Sequence, residues 1–279
     1  MDTKMYVITH KKASIPNISM YSSMLVGASI HEVEGSFDEK DSSGINISAK
    51  NPNYCELTGI YWIWKNTNTD IVGICHYRRF FSHKCILGNK KYYLQDKDME
   101  YLLNKYSIIV PKARYYAKTT LLSINYAPNM EDIKEVFQAI NICSPEYIDD
   151  FIWYLNQNKS YLYNMFIMRK ADFDAYCEWL FPILFYVEEI HDMRKETDPY
   201  RRRLFGFLSE RLITVWIHHN IDQRKIKEIP VINIDESDVT RIRRLLGNTT
   251  RQIRYIITKN GKTNRCRQKD SFDYVMSIS

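Results

Sequence analysis

The stretch from 51 to 81, NPNYCELTGIYWIWKNTNTDIVGICHYRRFF, constrains the fold more than any other. It predicts a helix rich in aromatic residues over 54–65, with Pro52 at its start, where proline is tolerated because the first helical N–H has no partner within the helix. A short buried strand follows over 71–75 and stops abruptly at His76-Tyr77-Arg78-Arg79. Two adjacent arginines and a histidine at the C-terminal tip of a strand have the composition of an anion site. In open α/β sheets ligands bind beyond the carboxyl ends of the strands, and the planar arginine fork matches phosphate geometry.

The rest of the chain repeats the alternation. Strands are predicted over 5–9, 107–110, 161–168 and 229–234. Helices are predicted over 97–106, 131–141, 145–156, 171–190 and 205–218, the fourth bent or restarted near Pro182. Turn-rich or irregular loops fall at 38–46, 114–129 and 197–203. Short strands alternating with helices imply an α/β fold. After Ser237 the composition turns basic and polar. The chain therefore divides into a body, 1–237, and a basic appendage, 238–279, helical at least over 239–246.

The formal net charge of +6 is concentrated in that appendage: residues 241–269 hold ten Lys/Arg and no Asp/Glu. The body is close to neutral, and the chain's 45% apolar and 14% aromatic content supports a packed core. A basic tail on a neutral body implies a negatively charged partner, an anionic membrane surface or a nucleic acid. Interleaved apolar residues at 239–246 and 253–257 favour the membrane, as an interfacial helix would carry them. With no basic face on the body and no recognised binding motif, a nucleic-acid partner is the lesser reading. The six cysteines form no CxxC pair, which implies reduced thiols in a cytosolic protein without a metal or disulfide framework. The N-terminus lacks a long apolar run, so no secretory signal is expected. The apolar patch at 179–187 is too short to span a membrane and contains Pro182.

Six blocks occur in order: THKK, SGINISAKNPNYCELTGIYWIWKN, VGICHYRRFF, YNMFIM, CEWLFPILF and FGFLSERL. Together they resemble a family of bacterial glycosyltransferases from capsular and exopolysaccharide loci, long known only as a domain of unknown function (DUF4422-like). The resemblance runs from about residue 5 to 234. It implies a GT-A fold, a Rossmann-like mixed sheet flanked by helices. It also implies transfer of a hexose from a UDP-sugar to a glycan or lipid-linked acceptor in cell-surface polysaccharide assembly. Galactose, as pyranose or furanose, is the first donor to consider. The enzyme would work in the cytoplasm, peripherally on the inner face of the plasma membrane. A non-catalytic nucleotide-sugar-binding or scaffold protein on the same fold is the alternative.

Within that resemblance, Thr9, His10 and Lys11 occupy the first strand tip, where a nucleotide is received. Most GT-A enzymes place an Asp-x-Asp pair on a later strand tip to hold Mg²⁺ or Mn²⁺ against the diphosphate. Here Asp96-Lys97-Asp98 and Asp172-Phe173-Asp174 both read as helix carboxylates, and the expected tip carries His76, Tyr77, Arg78 and Arg79 instead. Fixed arginines replace a metal in this reading and neutralise the leaving diphosphate directly. A metal is thus possible but not required. Glu56, with Tyr54 and Thr58, would line the sugar or nucleotide side, or else satisfy backbone N–H groups at its helix start. Asn164 sits in an apolar strand and would lie beside the donor or acceptor sugar, as an asparagine in a similar strand does in other GT-A enzymes, or else find a structural partner. Glu210, with Arg211 beside it, is the candidate base that takes the acceptor's proton. Tyr115, Tyr116 and Tyr126 form a candidate acceptor platform. One departure from the family pattern is the loop Asp41-Ser42-Ser43-Gly44-Ile45-Asn46, where a second acid is expected near 45.

Overall fold

The computed structural model describes residues 2–84, 92–124 and 127–260. Thr3–Thr9 forms β1, whose last five residues are buried. Tyr21–Leu25 (β2) and Glu39–Lys40 (β3) follow, neither of them expected from the sequence. Asn51–Tyr54 (α1) and Leu57–Asn66 (α2) replace the single helix predicted over 54–65. The break is at Cys55, whose φ of 52° lies in the left-handed region that a right-handed helix cannot include. Ile71–His76 is β4, and Arg79–Phe81 (β5) doubles back to pair His76 with Arg79.

Asp96–Lys105 (α3) opens on a reciprocal capping box between Gln95 and Asp98 and leads to Ile108–Pro111 (β6). Arg114–Tyr115 (β7) lies in a segment expected to be irregular. Met130–Cys143 (α4) opens on a second capping box, Asn129 with Asp132. A 3-10 turn at Pro145–Tyr147 precedes Ile148–Asn156 (α5), and Lys159–Ser160 is β8.

The strand predicted over 161–168 is cut to Ile167–Arg169 (β9). Tyr163 and Asn164 adopt φ of 78° and 49°, which no extended strand can hold. Lys170–Ile190 (α6) runs through Pro182 without restarting. Leu204–Asn220 is α7. The last predicted strand is two, Ile226–Ile229 (β10) and Val231–Asn233 (β11), parted by Pro230, which has no N–H to give a ladder. Asp238–Asn260 (α8) extends well beyond the expected 239–246.

The described residues group into two compact units. The first comprises Met1–Lys112, Tyr163–Glu178 and Ile221–Arg241. Its nine-stranded sheet has the order β10-β6-β9-β4-β1-β2-β3, with β5 and β11 branching from β4. β1 pairs in parallel with β2 and β4, and β6 with β10, while β9 runs antiparallel between β4 and β6. This is the expected mixed α/β sheet flanked by helices. Gly73 on β4 is required by close approach: a Cβ there would stand 2.0 Å from the Met5 sulfur of β1. Met5, Val7, Ile71, Cys75, Phe80 and Phe81 belong to the unit's core, each essentially inaccessible to water. A large apolar side chain so buried contributes about 1.5–3 kcal/mol.

The second unit comprises Ala113–Leu162, Trp179–Asn220 and the described residues from 242 onward. It is built on α4, α5 and α7, with β7 and β8 paired antiparallel. α7 is buried on nearly every face, which its almost continuous apolar sequence allows. Among the described residues no helix is long and apolar enough to cross a membrane. No disulfide joins Cys55, Cys75, Cys143 or Cys177.

Candidate functional site

The parallel pairing of β1 with β4 sets Ile8 opposite His76. The residues just beyond, His10 and Lys11 on one side and Tyr77 to Arg79 on the other, are thereby brought together at the C-terminal end of the sheet. The Tyr77 N–H donates to the Ile8 carbonyl at 3.1 Å, which fixes the turn. Around the Tyr77 ring, Lys11 Nζ lies 5.2 Å and the Arg78 guanidinium carbon 4.9 Å from its centre, and the His10 ring meets it edge-on at 5.2 Å. The negative face of an aromatic ring holds such cations with about 0.5–1 kcal/mol each at exposed sites. The Arg79 guanidinium lies 4.6 Å from the Tyr163 ring centre.

Arg78 also reaches Asp235 at 3.5 Å, with both side chains about half exposed. A pair so long and wet contributes little. Among the described residues, Lys11 and Arg79 have no carboxylate partner. Positive charge therefore exceeds negative charge at this end of the sheet. Thr9 is more occupied than expected for a nucleotide contact. Its hydroxyl donates to the Lys11 carbonyl at 2.5 Å, and its own carbonyl accepts from Val26 at 2.9 Å.

The turn at Tyr163–Asn164 is the second component. His76 Nε2 lies 2.5 Å from the Tyr163 carbonyl, so that nitrogen carries the proton and donates it. Asn164, 1% exposed, donates its amide N–H to Glu56 at 2.6 Å. The structure thus joins two residues that the sequence offered separately. Glu56 makes no side-chain cap to α2, and its carboxylate turns to Asn164 instead. Tyr54 and Thr58, expected beside it in a cleft, are fully buried in the core. Asn164 does not lie within a strand, as predicted, but in left-handed backbone. Such backbone costs a non-glycine residue about 1–2 kcal/mol, and strain of this kind collects at ligand sites.

Asp41, noted in the sequence only as part of a loop departing from the family pattern, has a structural role. It is fully buried and accepts N–H bonds from Gly27 at 2.9 Å and Ala28 at 3.0 Å, and the Ser48 hydroxyl at 2.5 Å. It thereby fixes the turn that follows β2, where Gly27 takes φ of 68°. The position expected to hold a second acid, Ile45, is 60% exposed. Neither the turn-rich composition of this loop nor its departure from the family pattern says which strand end it folds against.

The other candidate carboxylates are occupied elsewhere. Asp98 caps α3 and lies 2.9 Å from His83, and Asp96 accepts from Ser19 at 3.2 Å. Asp174 binds Lys170 one helical turn away at 2.6 Å. Asp172 and Asp174, two positions apart on α6, point to different sides of the helix. Glu210 and Arg211 lie on α7 in the second unit, both half-buried. Arg211 donates to the Phe207 carbonyl at 2.9 Å. Its charge partly offsets the burial that drives the neighbouring Tyr154 hydroxyl well above its ordinary pKa. Tyr115 is pinned through its backbone to Asn248 and Arg251, each at 2.8 Å, and Tyr126 lies outside the described residues.

The second unit also holds a closed ionic network. Arg201 bridges Asp132 at 3.2 Å and Glu196 at 2.5 Å, while His191 binds Glu135 at 2.7 Å. The Glu135 hydrogen bond raises the His191 pKa above its ordinary 6.5, against the opposing effect of burial. Ligand atoms of Asp132, Glu135 and His191 lie within 4.8 Å of one another, close enough for a cation. The Arg201 guanidinium already supplies positive charge to Asp132.

A family model described as "Domain of unknown function (DUF4422)" matches residues 4–221. No curated protein matches the chain. Among solved structures, one described as "WbbM bifunctional glycosytransferase apo structure" superposes with a TM-score of 0.77 at 26% sequence identity. That match covers 85% of this chain and 46% of the other, so this chain spans about half the length of that protein. The fold is therefore that of a glycosyltransferase.

Proposed function

The chain belongs to the DUF4422 family, and from that premise and the cations at the tips of β1 and β4 we propose that it is a glycosyltransferase using a UDP-sugar donor. The observation that carries this reading is the gathering of positive charge: Lys11, Arg78 and Arg79 stand around Tyr77 and Tyr163, and among the described residues their ion pairing is limited to the long, exposed contact of Arg78 with Asp235. As the bond from the sugar to the diphosphate breaks, negative charge develops on the departing phosphate oxygens. Preorganised cations aimed at that charge lower the barrier, because they need no reorganisation when the reaction occurs. Arginine keeps its charge at any working pH and can grip two phosphate oxygens at once.

In this reading the transfer needs no divalent metal, since the fixed cations do the neutralising. His10, His76 and Tyr77 shape the diphosphate pocket, and the Glu56–Asn164 pair holds the adjoining turn for the donor. Glu210 takes the proton from the acceptor hydroxyl, with Arg211 as its neighbour. This last role rests on the likeness of the FLSER segment to the segment that carries the base in inverting enzymes. The donor is a UDP-hexose, the acceptor a glycan or lipid-linked sugar, and the setting cell-surface polysaccharide assembly at the inner membrane face.

The test is a donor-turnover assay run with EDTA and with added Mn²⁺, beside calorimetry with UDP. Turnover unchanged by EDTA is expected. Activity abolished by EDTA and restored by Mn²⁺ would sink the metal-free reading. Glu210→Gln is expected to keep UDP binding and to lower turnover by about 10²-fold or more. UDP binding with no turnover by the unaltered chain, whatever the donor and acceptor, would favour a non-catalytic nucleotide-sugar-binding protein.

A further inference from the structure

α8 presents its sides in an inverted order. Three of its polar residues, Arg241, Asn248 and Arg251, turn toward protein. Arg241 is 4% exposed and bonds the Asp238 carboxylate and the carbonyls of Asn233 and Glu236. Farther along, Asn248 donates to the Ala113 carbonyl at 3.0 Å, and Arg251 donates to the Tyr115 carbonyl at 2.8 Å. Its apolar residues turn toward water. Val239, Ile242, Leu246, Ile253, Ile256 and Ile257 are between 41% and 66% exposed.

These six are not scattered. Spacings of three, four and seven residues return to the same side of a helix at each step, so they form one stripe about 27 Å long at 1.5 Å per residue. Arg243 and Arg254 are exposed immediately beside it. From Val239 through Thr258 the helix carries no acid. A contiguous apolar face of this kind on a protein surface marks an interaction site.

The charge decides the occupant. A second copy laid along the stripe would set Arg243 and Arg254 against identical arginines with no carboxylate to relieve them. A bilayer with anionic headgroups satisfies both features at once: the stripe enters the headgroup–acyl boundary while the arginines meet lipid phosphates. We propose that the outward face of α8 docks on an anionic lipid bilayer, with Leu246, Ile253 and Ile257 as the inserting side chains.

The test is flotation of the full chain with vesicles of phosphatidylcholine alone and of phosphatidylcholine mixed with phosphatidylglycerol. It reads binding only, so it stands or falls apart from any transferase activity. The chain is expected to float with the mixed vesicles and to be released by salt. Leu246→Asp combined with Ile253→Asp is expected to lower that partition by about tenfold or more, with circular dichroism unchanged because both sites are exposed. Arg243→Glu with Arg254→Glu should remove the preference for anionic lipid. The proposal is overturned if the full chain stays unbound at low salt, if it binds neutral vesicles equally well, or if the Asp variant floats as well as the parent. It is also overturned if sedimentation shows a dimer that the Asp variant breaks while vesicles bind neither form.

Discussion

The cations at the tips of β1 and β4 and the ionic network around His191 use similar side chains and reach opposite electrical states. In the network every charged group has an opposite partner at short range, and Asp132 is wholly withdrawn from water. At the strand tips, Lys11 and Arg79 rest against aromatic rings, and Arg78 has one long, exposed ion pair. A charge matched by its neighbours holds structure and has little left for a ligand. A charge supported by rings keeps its field available, because a quadrupole orients a cation without neutralising it.

The largest effect expected is in the network. Asp132→Ala leaves Arg201 with one carboxylate fewer and should cost about 3–5 kcal/mol of stability, the loss typical of breaking a buried pair. Chemical denaturation measures it, and activity per folded molecule should barely change. A loss well below that range would mean that the network contributes little to the fold.

Next in size is Arg79→Ala. Removing one preorganised donor to developing charge should lower turnover about 10²–10³-fold and leave the denaturation midpoint almost unmoved. If the midpoint falls as far as it does for Asp132→Ala, the arginine is a structural group and the contrast between the two regions fails.

The smallest effect is a pH dependence. The His191 pKa is raised above 6.5 in the folded state, chiefly by its Glu135 hydrogen bond. The protonated ring therefore contributes its full stability below 6.5, and the contribution is lost as the pH rises through the higher folded value. The change should be small, since burial opposes the hydrogen bond. Melting temperature followed from mildly acid to mildly alkaline pH should fall by this small amount, and His191→Gln should flatten the fall.

The strands that meet at the strand-tip cluster were legible because β1 and β4 are short apolar runs stopped by cations. β2 was not, because Ser22 and Ser23 interrupt its apolar character, and two-residue β3 carries no periodicity at all. The meeting of His10 and Lys11 with Tyr77 follows from strand order, which sequence suggests only through the resemblance to a family. The Glu56–Asn164 bond joins positions 108 residues apart, and Asn164 looked like a strand residue because its neighbours are apolar. Its tolerance of left-handed backbone was the one local hint. The members of the His191 network each read alone as ordinary surface charges. In α8 the interleaving of apolar and basic residues was visible, but not which side would be turned inward. Hydrogen bonds from Asn248 and Arg251 to backbone carbonyls decide that, and they have no signature in hydropathy.

The left-handed pair at Tyr163 and Asn164 has a kinetic consequence. A turn that holds about 1–2 kcal/mol of backbone cost per residue opens locally more often than the ladder of β4 and β9 beside it. Its amide protons should therefore exchange with solvent earlier than those of the neighbouring strands. A diphosphate arriving at Arg79 would clamp the ring that the arginine already covers, and exchange at these two positions would slow. Two amides in the middle of the chain would thus report occupancy of the strand tips without any assay of transfer.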